Sequence, residues 1–179
     1  ARAVIGTKRN LRLITAPPPG RHDFDLRRIE DGFLVQARDV VGIDEGAPGL
    51  PPGWEVVAGK RPTTGLIAEL EFAWTMVAHT KSNAIVIAQN RAAVGVGAGD
   101  QSRVGAAERA VVRAGERARG AVAASDAFLP FRDGLDTLAD AGVVALVEPG
   151  GSKRDDEVIA AAEERGMTLV FTGRRHFKH

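Results

Sequence analysis

The chain of 179 residues contains no cysteine, only 5% aromatic residues, four histidines and almost no net charge. Without cysteine there is no disulfide framework, no thiolate zinc site, no iron–sulfur cluster and no cysteine nucleophile. Four histidines argue against a metal enzyme, so no metal ligands are assigned. The 24 basic and 23 acidic side chains leave a net charge of +1 and a pI of 8.4. That balance produces no broad positive field, which argues against nucleic acid as the main partner; any anion must be met by local groups. A bilayer-spanning run of about 18 apolar residues is missing, and Ala1-Arg2-Ala3-Val4-Ile5 lacks the apolar core of a signal peptide. The sequence therefore reads as cytoplasmic, with no membrane partner. It begins with alanine and enters at once a strand-like segment, Arg2 to Thr15, so we expect a fragment or processed product of something longer.

A chain of this size buries roughly 70% of its unfolded surface and supports one large domain or two small lobes. Alternating apolar and polar positions predict two strands in the first fifty residues, one at Asn10–Ile14 and one at Gly32–Ala37, joined through Ala16-Pro17-Pro18-Pro19-Gly20. A second Pro/Gly stretch, Gly46 to Gly53, marks the expected lobe boundary. This gives a strand-rich segment at 1–53 and a lobe at 54–179. Thr63 or Thr64 is expected to cap a helix to about His79, with Leu66, Ile67, Leu70, Phe72, Ala73, Trp74 and Val77 at helical spacing. Strands follow at Ala84–Ala88 and Ala93–Val96, then a glycine-rich loop and a helix from Ser102 to Gly115. Beyond a loop at Ser125–Phe131, a helix at Asp133–Ala141 and a strand at Val143–Val147 are expected, then a helix at Asp155–Arg165 and a strand at Thr168–Thr172. This alternation predicts an α/β fold, a mixed sheet with helices on both faces.

Several segments combine residues that bind or react. In Lys81-Ser82-Asn83 a polar triplet precedes a buried strand; the Asn83 amide donates and accepts, which suits a carboxamide or amine, although the same residues also suit a helix end and turn. In Gly95-Val96-Gly97-Ala98-Gly99-Asp100-Gln101-Ser102-Arg103 the glycines permit close backbone approach, the helix start offers N–H groups to an anion, and Arg103 adds a forked cation. The spacing is G-x-G-x-G, with Asp100 where a dinucleotide fingerprint needs glycine, so a tight strand-to-helix turn is the competing reading. In Ser125-Asp126-Ala127-Phe128-Leu129-Pro130-Phe131-Arg132-Asp133 two phenylalanines flank a proline between carboxylates. They make an apolar slot for a flat ring with Asp133 at its polar edge, or they plug the core while Asp133 caps the next helix. Glu148-Pro149-Gly150-Gly151-Ser152-Lys153 occupies a strand-to-helix loop, where open α/β sheets bind ligands, or is an ordinary connection. The terminal Arg174-Arg175-His176-Phe177-Lys178-His179 suits a phosphate, or is a solvated basic tail.

Taken together and in this order, the blocks at 81–86, 95–104, 125–133 and 171–179 resemble the transformylase half of the AICAR transformylase/IMP cyclohydrolase family, over the whole of the chain. The resemblance implies two lobes similar to cytidine deaminase but without its zinc, in an intertwined homodimer; the chain corresponds to the C-terminal lobe. It implies transfer of a formyl group from 10-formyltetrahydrofolate to the amine of AICAR, phosphoribosylaminoimidazolecarboxamide, in the de novo synthesis of IMP. Nucleotide contacts carry over to Asn83, Arg103, the Phe128 backbone and Arg175, with Arg175 near the phosphate. Folate contacts carry over to Val104, Asp133, Ser152 and Lys153. The resemblance also allows a monovalent cation near Asp126 and the C-terminal block.

The chain departs from that family pattern in specific places. The catalytic Lys-His pair belongs to the first transformylase lobe, which is missing, as is the cyclohydrolase domain; Lys178-His179 is not its counterpart. Leu129 stands where an aromatic is common, and Gly134 follows Asp133. We therefore expect Asn83 to position substrate and the chain alone to be inactive. The alternative is a non-catalytic nucleotide-binding or dimerisation module. A deaminase-like hydrolase is disfavoured, because neither His-x-Glu nor Cys-x-x-Cys is present to hold zinc.

Overall fold

The computed structural model describes residues 6, 11–15, 24–41 and 49–178. The chain divides into two units, 1–40 and 41–179. In the first, β1 (Phe24–Ile29) pairs antiparallel with β2 (Gly32–Ala37), in the register Phe24 to Ala37 and Leu26 to Val35. The period of two gathers Phe24, Leu26, Phe33 and Val35 on one face, all of them exposed. The expected strand at Gly32–Ala37 is therefore present. Its expected partner at Asn10–Ile14 is not: Leu11 to Thr15 carry no regular structure, and the partner is Phe24–Ile29. Adjacent Arg27 and Arg28 obscure that strand's alternation. Most of Arg2–Asn10, the Ala16–Gly20 run, Gly46–Pro48 and His179 lie outside the described residues.

The second unit is a six-stranded mixed sheet in the order β3-β8-β7-β6-β4-β5. Its strands are β3 (Glu55–Ala58), β4 (Ile85–Gln89), β5 (Ala92–Gly97), β6 (Val122–Ser125), β7 (Ala145–Glu148) and β8 (Thr168–Phe171). The β6, β7 and β8 strands are mutually parallel, whereas β4 runs antiparallel to both β5 and β6, and β3 to β8. The helices are α1 (Thr64–Ala78), α2 (Arg103–Ala114), α3 (Asp133–Asp140) and α4 (Asp155–Arg165).

Apolar residues point alternately to two cores. Ile85, Ile87, Ala123, Leu146 and Leu169 face the side that holds Ala106, Leu135, Leu138, Val158 and Ala162 of α2, α3 and α4. Val86, Ala124, Val147 and Val170 face Leu70, Ala73, Trp74 and Val77 of α1. Helices thus cover both faces, as the alternation predicts. Thr63 caps α1, its hydroxyl accepting from the Leu66 N–H at 3.3 Å. Gly95 lies in β5 as expected, and the strand takes in Gly97 as well, which the sequence pattern assigns to the loop: a Cβ on either would stand 2.2 and 1.9 Å from the Ala110 and Ala106 carbonyl oxygens of α2. Their role is close strand–helix packing.

The strand β6 is not legible in the sequence. Alanine favours helix, so Ala121-Val122-Ala123-Ala124 carries a weak strand signal, yet it is wholly buried in the centre of the sheet, where small side chains suffice beneath two layers of helix.

Candidate functional site

Strand direction brings the flagged segments to one end of the sheet. Ile85 lies opposite Gly97 and Ser125, Ala124 beside Val147, and Glu148 beside Phe171. The entry to β4, the exit of β5 and the carboxyl ends of β6, β7 and β8 therefore adjoin. That is where parallel strands offer their following loops to a ligand.

Asp126, fully buried just beyond β6, holds this end together. Its Oδ1 accepts from the Ala84 N–H at 2.9 Å and from the Arg103 guanidinium, and its Oδ2 accepts from the Ser82 hydroxyl. Arg103, only 8% exposed, also donates to Asn83 Oδ1 at 3.1 Å. Asn83 Nδ2 in turn donates to the Asp100 carbonyl at 3.0 Å. Ser82 and Asn83 therefore do not serve the end of α1; there Lys178 Nζ donates to the His79 carbonyl at 3.1 Å. The C-terminal segment closes the arrangement. The His176 N–H donates to the Asp126 carbonyl at 3.0 Å, and its buried ring stands edge-on to Trp74 at 5.0 Å.

Beside this network lies an open cleft of about 450 Å³, a size suited to a small ligand. Asn83, Arg103, Val104, Phe128, Pro130, Phe131, Asp133 and Phe177 line it. The loop phenylalanines do not plug the core: Phe131 is 48% exposed, and Leu129 between them takes the buried place. Asp133 is the first residue of α3 rather than its cap; its Oδ1 accepts from the Gly134 N–H at 2.7 Å.

Three sequence-expected residues lie outside the lining. Ser152 and Lys153 belong to the loop after β7, which reaches the cleft's edge where the Arg154 guanidinium covers the Phe131 ring at 4.9 Å. The exposed Arg175 covers the Phe177 ring at 5.0 Å. The sequence alone does not single out Phe177; only its place in the terminal block points to it.

The start of α2 is less open to an anion than its glycines suggest. Ser102 Oγ accepts from the Gly105 N–H at 3.0 Å, and Asp100 accepts from the Ser102 N–H at 3.2 Å and from Arg109 at 2.8 Å. These contacts, the Ser102 N–H first, hold the Asp100 carboxyl below its usual range against the opposing effect of burial. The cation allowed near Asp126 does not suit this donor set either, because the Arg103 guanidinium already neutralises that carboxylate.

The sequence matches the AICARFT/IMPCHase bienzyme family over residues 1–113. The chain belongs to that family. Over 177 residues it is 50% identical to the bifunctional purine biosynthesis protein PurH of Corynebacterium glutamicum, which covers 98% of this chain and 34% of that protein. Over 182 residues it is 47% identical to the protein of the same name from Desulfitobacterium hafniense, covering 100% of this chain and 34% of that one. The chain thus spans about a third of the length of these relatives. In this AICARFT/IMPCHase chain the two local departures noted above are neighbours: a Cβ at Gly134 would stand 3.0 Å from Leu129 Cδ2. The glycine makes room for the leucine under the first turn of α3.

Proposed function

We propose that the chain is the C-terminal, cytidine deaminase-like lobe of an AICAR transformylase, with the cleft at the carboxyl end of β6 to β8 as its part of the active site. What carries the reading is convergence: Asn83, Arg103, Val104, Phe128 and Asp133, taken from three separate segments, line one cleft. Asn83 and Arg103 contact the base and ribose side of AICAR, Phe128 holds it through its backbone, and Arg175 meets the phosphate. The folate, 10-formyltetrahydrofolate, lies along Val104 and Asp133 toward Ser152 and Lys153, its flat ring against the phenylalanines.

The chemistry suits those residue types. The AICAR amine is a weak nucleophile, because its lone pair is delocalised toward the carboxamide, so much of the rate must come from positioning and from removal of its proton. Asn83, held by Arg103 and the Asp100 carbonyl, is a fixed amide rather than a mobile one, and a fixed donor and acceptor pair orients an amine and a carboxamide. The amine attacks the formyl carbon, the oxygen gains charge in the tetrahedral intermediate, and the folate nitrogen leaves as the C–N bond breaks. The base and the oxyanion donor are the His and Lys of the missing lobe, so the chain alone is inactive.

Exposure of Phe24, Leu26, Phe33 and Val35 on one face of β1–β2 supports assembly with that lobe and as a homodimer, since an isolated two-stranded sheet is marginal in water. No helix among the described residues is long and apolar enough to cross a membrane, and we place the protein in the cytoplasm. The test is complementation. Formyl transfer is expected when the chain is mixed with the remaining two thirds of a relative, and in neither part alone. Turnover by the chain by itself contradicts the claim that it is inactive alone, whereas binding of AICAR without any rescue by the missing part favours the non-catalytic module.

A further inference from the structure

Glu148 is the last residue of β7 and is completely buried, yet no step above uses it. It points to the face that carries α2, α3 and α4, two positions on from Leu146 of that core. Its Oε2 accepts from the Leu129 N–H at 2.6 Å, and its Oε1 has no partner. Leu129 is itself fully buried, while its neighbours Phe128 and Pro130 line the cleft. One short bond therefore ties the sheet to the backbone of the wall against which a flat ligand lies. Two charged groups act on Glu148: Arg103 at the start of α2 favours its ionisation, and Asp155 at the start of α4 opposes it. The Asp155 carboxylate is taken by the Gly151 and Ser152 N–H groups at 2.7 and 2.9 Å. Glu148 thus lies between the segments read as nucleotide-binding and those read as folate-binding.

We propose that Glu148 is a positioning residue of the cleft, whose buried carboxyl holds the Phe128–Phe131 wall through Leu129 and so sets how tightly the cleft grips its ligand. The ligand named here rests on the AICAR reading above; the tether does not. A carboxylate with one orphaned oxygen is costly in this buried place, so the wall is held by the neutral acid. Burial pushes the group up to about 8, with the Leu129 N–H the main opposing influence. Ionisation charges the orphaned oxygen, and the wall must shift or admit water to relieve it.

The experiment uses the whole chain carrying 19F-phenylalanine, with Phe128 and Phe131 assigned by substitution, and follows both resonances and AICAR affinity from pH 6 to pH 9.5. In the wild type both resonances are expected to move with one midpoint near 8 and AICAR affinity to fall about tenfold across it. Glu148→Gln, a neutral isostere, is expected to hold both resonances still and keep the low-pH affinity throughout. Glu148→Ala is expected to broaden the two resonances at every pH; if it fails to fold, the glutamine variant decides. Resonances that titrate identically in wild type and Glu148→Gln overturn the proposal, as do wild-type resonances that do not move. If AICAR binds at no pH while the glutamine variant still abolishes the titration, the AICAR reading fails and the tether stands.

Discussion

The two ends of the six-stranded sheet are built by different rules. At the end where β6, β7 and β8 finish lie Arg103, Ser125, Asp126, Glu148, Thr172 and His176, which are all the buried polar or charged side chains among the described residues except Thr168. At the opposite end the chain returns from helix to strand through tight turns closed mostly by backbone groups. Gly120 N–H donates to the Gly142 carbonyl at 2.8 Å, and Met167 N–H to the Ala162 carbonyl at 2.9 Å. Gly115, Gly120, Gly142 and Gly166 supply the positive φ those turns need. One end spends nothing on buried charge; the other carries a buried ion pair and an orphaned carboxyl oxygen. A sheet end tolerates that cost when the arrangement it holds does something besides fold.

Breaking the polar end should have the largest effect. Asp126→Ala leaves Arg103 buried without its carboxylate and Ala84 N–H and Ser82 without an acceptor, and should lose about 3–5 kcal/mol in urea unfolding. Next comes pH. Because Glu148 is raised from 4.5 to about 8, the folded state holds a proton that the unfolded state has released, so stability falls as pH rises through this window. We expect a loss of roughly 4 kcal/mol between pH 5 and pH 9, removed in Glu148→Gln. At the backbone-closed end, Gly142→Ala forces a side chain to φ 88° with its Cβ 3.2 Å from Arg119 Cα, and should cost about 1–2 kcal/mol without touching ligand affinity. The smallest stability effect belongs to Phe131→Ala, whose half-exposed ring contributes little to folding. Its ligand affinity should nevertheless fall about tenfold by calorimetry, reversing the order seen for Gly142→Ala.

The same contrast explains what the sequence discloses. Helices α1, α2 and α4 and strands β4, β5 and β8 follow from periodicity and caps, because those signals are local. The Gly95 and Gly97 pair misleads, since the backbone it admits belongs to α2 and not to a ligand, and only the packed structure distinguishes the two. Asn83, Arg103, Phe128 and Asp133 are each legible as unusual residues in unusual places. Their meeting at one cleft depends on the order β8-β7-β6-β4-β5, which no local pattern encodes. In the sequence Asp126 and Glu148 are only members of loops. Their weight comes from complete burial and from bonds to residues 42 and 19 positions away, both properties of the fold.

The most direct test of the central claim, that the polar sheet end is built to bind AICAR, is a calorimetric titration of the chain and of Asn83→Ala with that nucleotide. Asn83 is partly exposed at the mouth of the network, so its loss should leave folding nearly intact. The account predicts one saturable site, weakened about tenfold or more in the variant. No binding by the wild type, or equal affinity in both, contradicts it.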